Sequence, residues 1–153
     1  MNELVPIITG SKADEDYAKK IESRLKDFGV EAQIKVCSAH KATKYLLDLI
    51  HYYDGSGRPI VYIAIAGRSN ALGGVIDGNS LNPVINSPPH SEKYGGMDLL
   101  SSLRMPSGIV PATVLEPENA AILAVKLFAM GNADLRKKLE DYKKKLTQAA
   151  APK

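Results

Sequence analysis

Three short polar stretches each follow an apolar run in this sequence, and between them they hold the side chains that could do chemistry. The first is Gly10, Ser11, Lys12, Ala13 and Asp14. Its glycine permits a tight turn, and Ser11 with Asp14 three residues on has capping-box form. It reads either as a helix cap alone or as an anion contact at a helix N-terminus. The second is Cys37, Ser38, Ala39, His40 and Lys41, where a histidine and a lysine stand outside any apolar periodicity. Taken alone, His40 reads equally as a structural histidine or as an acid–base group, because imidazole titrates near neutrality. The third is Ala66, Gly67, Arg68, Ser69 and Asn70, in which glycine allows close approach, Arg68 can pair with a phosphate or carboxylate, and Ser69 or Asn70 can cap a helix. Ser, His, Lys, Arg and Asp gathered this way exceed what packing requires. The irregular stretches Asn86 to His90 and Ser101 to Pro106 could add a pocket wall, while His51 and His90 read as surface or structural residues.

The apolar pattern indicates what must position these loops. Leu4 to Thr9 reads as a strand buried on both faces, and Tyr17, Ala18, Ile21, Leu25 and Phe28 mark an amphipathic helix that stops at Gly29. A strand at Ala32 to Val36 precedes a helix carrying Leu46, Leu49, Ile50 and Tyr53, which ends at the Asp54-Gly55-Ser56-Gly57 turn. Ile60 to Ala66 is the most strand-like run. A helix at Asn70 to Ile76, a strand at Pro83 to Asn86, a helix at Met97 to Leu103 and a strand at Gly108 to Val114 follow. Two helical patterns, Glu118 to Met130 and Leu135 to Leu146, close the chain. This alternation predicts a three-layer, doubly wound α/β fold with a parallel, flavodoxin-like sheet and extra C-terminal helices. In such sheets ligands bind at the carboxyl ends of the strands, where all three polar loops fall. The domain has little core left for the last helix, about 133–148, which is expected to pack partly on a neighbouring subunit, with its own sheet as the alternative.

Length and composition narrow the class. A chain of 153 residues, 44% hydrophobic and 24% charged, suits one globular domain over 1–153 and argues against disorder, collagen or coiled coil. A net charge of +3 without a cationic stripe argues against a nucleic-acid partner. The basic cluster of Arg136, Lys137, Lys138, Lys143, Lys144 and Lys145 reads as a solvated helix face. Cys37 is the one cysteine, which leaves no intramolecular disulfide or cysteine zinc cage and fits a reducing compartment, with the cytoplasm expected. Glu3 and a short apolar run give no sign of a signal peptide or membrane span. Neither GxxxxGK nor GxGxxG occurs, so an NTPase or dinucleotide enzyme is not expected. Ala66 and Gly67 stand where a phospho-receiver would carry aspartate, and with no tryptophan there is no evident platform for a flavin.

Gly10-Ser11, Ser38-Ala39-His40-Lys41, Ala66-Gly67-Arg68-Ser69-Asn70 and Ser101-Ser102-Leu103-Arg104-Met105-Pro106-Ser107-Gly108 resemble the phosphoribosylaminoimidazole (AIR) carboxylase, or PurE, family across nearly the whole chain. The family has a branch that rearranges N5-carboxy-AIR and a class II, animal-type branch that carboxylates AIR with CO2 directly. The mutase branch carries arginine and threonine-proline after the histidine, and glycine-alanine-alanine-histidine after the third strand. Lys41 with Arg68, Ser69 and Asn70 is similar to the direct carboxylase instead. Lys12 and Ala13 depart from the family's first loop, so Lys12 receives no role from it.

The resemblance implies carboxylation of AIR to 4-carboxy-AIR (CAIR) with no cofactor and no metal site: neither ATP nor biotin is needed. His40 would remove the C4 proton. Lys41 and the helix start at Ser11 would hold the 5′-phosphate, and Asp14 the ribose hydroxyls. Ser38, Gly67 and Ser69 would line the CO2 pocket, with Arg68 assisting the new carboxylate or supporting the loop; Gly10 and Lys12 complete the candidate binding set. The partners implied are AIR, CO2 and further copies of the chain, commonly an octamer with sites between subunits.

Overall fold

Leu4–Thr9 form β1, and all six residues are buried, as a strand covered on both faces requires. The computed structural model describes residues 2–151, so Met1, Pro152 and Lys153 of the expected 1–153 domain lie outside the described residues. Around β1 stand β2 (Glu31–Val36), β3 (Tyr62–Ile65), β4 (Val84–Asn86) and β5 (Ala112–Thr113), all parallel, in the order β2-β1-β3-β4-β5. This is the flavodoxin-like order expected from the pattern. The chain steps from β1 outward to β2, then crosses back to β3, so the switch point falls between β1 and β3 and the ligand crevice opens at their carboxyl ends.

Alternating side chains feed two cores. Val5, Ile7, Ile63 and Ile65 pack with α1 (Glu15–Phe28) and α5 (Pro117–Phe128), whereas Leu4, Ile8, Tyr62 and Ala64 pack with α2 (Thr43–Asp54) and α3 (Ala71–Asn79). The period of two along each strand sends neighbours to opposite layers, and the apolar helix stripes meet them. α1 ends at Gly29, whose left-handed φ of 77° lets its N–H return to Leu25 O and Lys26 O.

Several boundaries differ from the sequence reading. Ile60 makes only an isolated bridge to Leu4, leaving β3 four residues long. β5 keeps two residues of the expected Gly108 to Val114, because Pro111 lacks a donor and Gly108 turns left-handed at φ 87°. The expected helix at Met97 to Leu103 forms in two parts: its first three residues end a 3₁₀-like turn over Lys93–Leu99, in which Tyr94, Gly95 and Gly96 are left-handed, and α4 (Leu100–Leu103) is α-helical. The final helix, α6 (Ala133–Ala150), runs two residues beyond the expected 148. Within the chain, Leu135 is buried and Leu139 and Tyr142 pack against the α1–α5 core. Tyr142 meets Phe28 edge-on at 5.6 Å, and Lys138 Nζ donates to Phe28 O at 2.7 Å, capping the end of α1.

Candidate active site

Register brings the three polar loops to one level. Thr9 pairs with Val36 on one side and Ile65 on the other. Cys37 N–H donates to Thr9 O at 2.8 Å, and Gly10 N–H to Ile65 O at 2.9 Å. The chain therefore leaves the sheet at Gly10, Cys37 and Ala66 side by side, which places Ser11–Asp14, Ser38–Lys41 and Gly67–Asn70 along the switch-point edge.

The first loop is built differently from the capping box expected of it. Ser11 Oγ accepts from Ala13 N–H at 3.2 Å and caps a 3₁₀ turn over Lys12–Asp14, so α1 begins a turn later, with Asp14 at its N-cap position. The Asp14 side chain makes no cap bond. Asp14 is half-buried, and burial pushes its carboxyl above the ordinary value, leaving an acceptor aimed at no backbone donor of its own helix. Gly10 is not left-handed, and an added Cβ would meet Ala66 Cβ at an ordinary 3.8 Å, so the turn does not demand glycine. Ser11 and Lys12 are exposed.

The second loop is a turn anchored from below. Ala42 N–H donates to Ser38 O at 2.9 Å and Thr43 Oγ1 to Ala39 O at 2.6 Å, while Cys37 and Ala39 are buried in the α2–α3 core. This pins the turn and leaves His40 and Lys41 exposed at its tip. Burial pushes the Cys37 thiol up, so it is a packing group rather than a thiolate nucleophile.

The third loop is the most constrained. Arg68 has a left-handed φ of 59°, uncommon for a residue with a Cβ, and its N–H donates to Asp98 Oδ2 at 3.1 Å. Ser101 Oγ accepts from Asn70 N–H at 3.0 Å and lies within donating distance of Arg68 O (3.1 Å) and Asp98 O (2.8 Å). Asn70 caps α3, as foreseen for this loop: its Oδ1 accepts from Gly73 N–H at 3.1 Å, and its Nδ2 donates to Ser102 Oγ at 3.0 Å. Arg68 and Ser69 remain exposed, with Gly67 half-buried beneath them.

Asn86, Ser87 and Ser102, expected as pocket wall, are buried and act as a buttress. Ser102 O accepts from Thr113 Oγ1 (3.0 Å) and Asn86 Nδ2 (3.4 Å), tying α4 to β4 and β5. Tyr17 O–H lies 3.1 Å from Ser87 Oγ and donates to Leu115 O, joining α1 to the loops after β4 and β5; burial pushes its phenol up. Sequence reasoning missed Asp98 and this role of Tyr17. Tyr17 fits an apolar helix stripe, and nothing in the residue types announces that Arg68 needs an acceptor thirty positions away. His51 and His90 are exposed, as expected. A hollow of about 710 Å³ between α5 and α6 is lined by Met130, Leu139 and Lys143 among others and includes none of the strand-end residues. Among the described residues no group of His, Cys, Asp and Glu is placed to hold a metal, and no helix is long and apolar enough to cross a membrane.

A parallel sheet of this order, with its polar loops at the switch point, defines a doubly wound α/β protein, a class that binds ligands at this edge. The AIR carboxylase family model matches residues 4–149. Phosphoribosylaminoimidazole carboxylase of Archaeoglobus fulgidus is 48% identical over 136 residues, 89% of this chain and 74% of that protein. The enzyme of the same name from Treponema denticola is 46% identical over 142 residues, 93% of this chain and 89% of its own. The crystal structure of Treponema denticola PurE superposes with a TM-score of 0.95 at 44% identity, covering 97% of this chain and 94% of that one. The chain belongs to the AIR carboxylase family of enzymes.

Proposed function

We propose that this enzyme joins CO2 to C4 of AIR, giving CAIR for purine biosynthesis, and that it is of the direct carboxylase branch. The observation that carries the reading is the alignment of the His40–Lys41 turn between the Ser11–Asp14 and Gly67–Asn70 loops, with lysine at 41 and Arg68-Ser69-Asn70 at the third strand end.

AIR is an enamine-like aminoimidazole, so its C4 attacks CO2 without an activated carboxyl carrier. The new C–C bond leaves C4 tetrahedral, bearing both hydrogen and carboxylate. His40 takes that proton, the C–H electron pair restores the aromatic ring, and the imidazolium returns the proton to solvent. Lys41 and the helix start at Ser11 hold the 5′-phosphate. Asp14, whose carboxylate makes no cap bond, accepts from the ribose hydroxyls. Ser38, Gly67 and Ser69 line the CO2 pocket, with backbone N–H groups and Arg68 meeting the new carboxylate. Gly10 sets the base of the first loop, and Lys12 is exposed beside it. CO2 offers almost no handle, so holding the nucleotide still supplies much of the rate enhancement.

His40, Lys41, Arg68 and Ser69 are all exposed in the single chain, whereas charge-stabilising groups act best where water is excluded. This supports a homo-oligomer, an octamer by family likeness, in which neighbouring copies close the site. The test of function is CAIR formation by the purified protein from AIR with dissolved CO2, beside N5-carboxy-AIR, with ATP and metals absent. Turnover of AIR with CO2 alone is expected. Turnover of N5-carboxy-AIR alone would place the chain in the mutase branch instead.

A further inference from the structure

We propose that Asp98 is a positioning residue for this reaction, holding the Gly67–Asn70 loop in the conformation that receives CO2; the inference rests on the functional reading above. Arg68 sits at φ 59°, a conformation that side chains with a Cβ adopt only when the surroundings hold them there. The hold comes from one short segment. Asp98 Oδ2 accepts the Arg68 N–H at 3.1 Å, and Ser101, one turn on, takes the Asn70 N–H at 3.0 Å. Its hydroxyl also reaches Arg68 O and Asp98 O, so a single side chain ties brace to loop.

Asp98 grips the backbone of Arg68, and among the described residues the Arg68 guanidinium forms no ion pair. The charged group thus stays exposed and available to an anionic product. The same carboxylate oxygen lies 3.6 Å from where a Gly67 Cβ would be, directly against the stretch proposed to line the CO2 pocket. A carboxylate so close would repel a nascent carboxylate, so its negative charge is not what the site uses. The task is to receive an N–H, which a neutral amide oxygen also does. The left-handed run Tyr94-Gly95-Gly96 kinks the chain just upstream of Asp98.

The nucleotide contacts are assigned to the other two loops, so loss of the brace should affect CO2 and spare AIR. The experiment compares wild type, Asp98→Ala, Asp98→Asn, Arg68→Gly and Arg68→Gly/Asp98→Ala as full chains, by steady-state kinetics in each substrate and by thermal unfolding. Asp98→Ala is expected to lower kcat/KM for CO2 about tenfold with the KM for AIR unchanged, the scale of losing one charge-assisted hydrogen bond. Asp98→Asn should restore most of that loss. Adding Asp98→Ala to Arg68→Gly should cost almost nothing further, because glycine adopts the left-handed conformation unaided. If Asp98→Ala does not fold, the asparagine variant and the double variant carry the test. Equal losses for both substrates that track a fall in Tm, full activity in Asp98→Ala, or independent multiplication of the two losses would each overturn the proposal. Wild type that uses only N5-carboxy-AIR would refute the functional reading instead; the brace then stands if Asp98→Ala lowers kcat on that substrate with AIR affinity unaltered, and falls if it does not. Wild type inactive on both substrates overturns both.

Discussion

Replacing Gly73 by alanine sets two forces of known sign against each other. Gly73 lies inside α3, where alanine favours the helix by about 1 kcal/mol over glycine. Its added Cβ, however, would sit 1.7 Å from Asn86 Oδ1 and 2.7 Å from Asn86 Cγ, and Asn86 is fully buried on β4. The amide cannot swing into solvent, so α3 must lift from the sheet and Asn86 must shift, giving up its bond to Ser102 O. Overpacking of this kind costs about 3 kcal/mol at the upper end, and the lost hydrogen bond adds about 0.5 kcal/mol. The net expectation is destabilisation by about 2.5 kcal/mol, or a Tm about 8 °C lower for a chain of this length. Scanning calorimetry at fixed protein concentration reads it. Asn86→Ala in the same chain should recover part of the loss, since it vacates the space and removes an Oδ1 that has no hydrogen-bond partner among the described residues. A Gly73→Ala protein as stable as wild type, or more so, would refute the argument that α3 is seated on β4 through this contact.

His40→Ala should lower turnover about 10²- to 10⁴-fold. Its Tm should stay within about 2 °C of wild type, because His40 is an exposed loop-tip residue; steady-state assays and thermal melts check both halves. If Asp14 holds the ribose as proposed, the KM for AIR should rise as pH falls through the Asp14 titration, since only the ionised carboxylate can accept from both hydroxyls. Burial raises that carboxyl, so the rise should begin above the pH at which an ordinary aspartate protonates, and Asp14→Asn should abolish it. At alkaline pH the buried tyrosines contribute to the slope of stability. Burial pushes the Tyr53 phenol up to about 12, so the unfolded chain loses that proton first, and stability present below about pH 10 should drain away towards pH 12. Melts of wild type against Tyr53→Phe over that range should show the shallower slope in the variant.

The elements legible from sequence were those whose residues carried their own signal. β1 reads as a fully buried strand because all six positions are apolar or β-branched, and α1 because its stripe ends in a glycine that turns left-handed. Around β5, Ile109 and Val110 look strand-forming, yet Val110 is 79% exposed and the flanking glycine and proline keep the segment from pairing. The turn at Lys93–Leu99 was missed because its three left-handed residues include Tyr94, and no residue-type rule predicts tyrosine there. At the site, all three loops were visible as polar breaks after apolar runs. Their internal wiring was not. The serine–aspartate spacing at Ser11 and Asp14 suits a capping box as well as it suits the 3₁₀ turn that forms, and only the exit of the chain from β1 decides between them. Asp98 and Ser101 act on Arg68 and Asn70 across the tertiary fold, a relation with no local periodicity to betray it.

In the proposed reaction, carbon from free CO2 becomes the C4 carboxylate of the product, with His40 removing the proton. The most direct measurement is ¹³C NMR of the product formed from unlabelled AIR and ¹³C-labelled dissolved CO2 by the purified protein, beside His40→Ala. Label in the C4 carboxylate with wild type and almost none with the variant is the expected result. Wild type that leaves AIR unlabelled, yet carries ¹³C from N5-[¹³C]carboxy-AIR into CAIR, would contradict it.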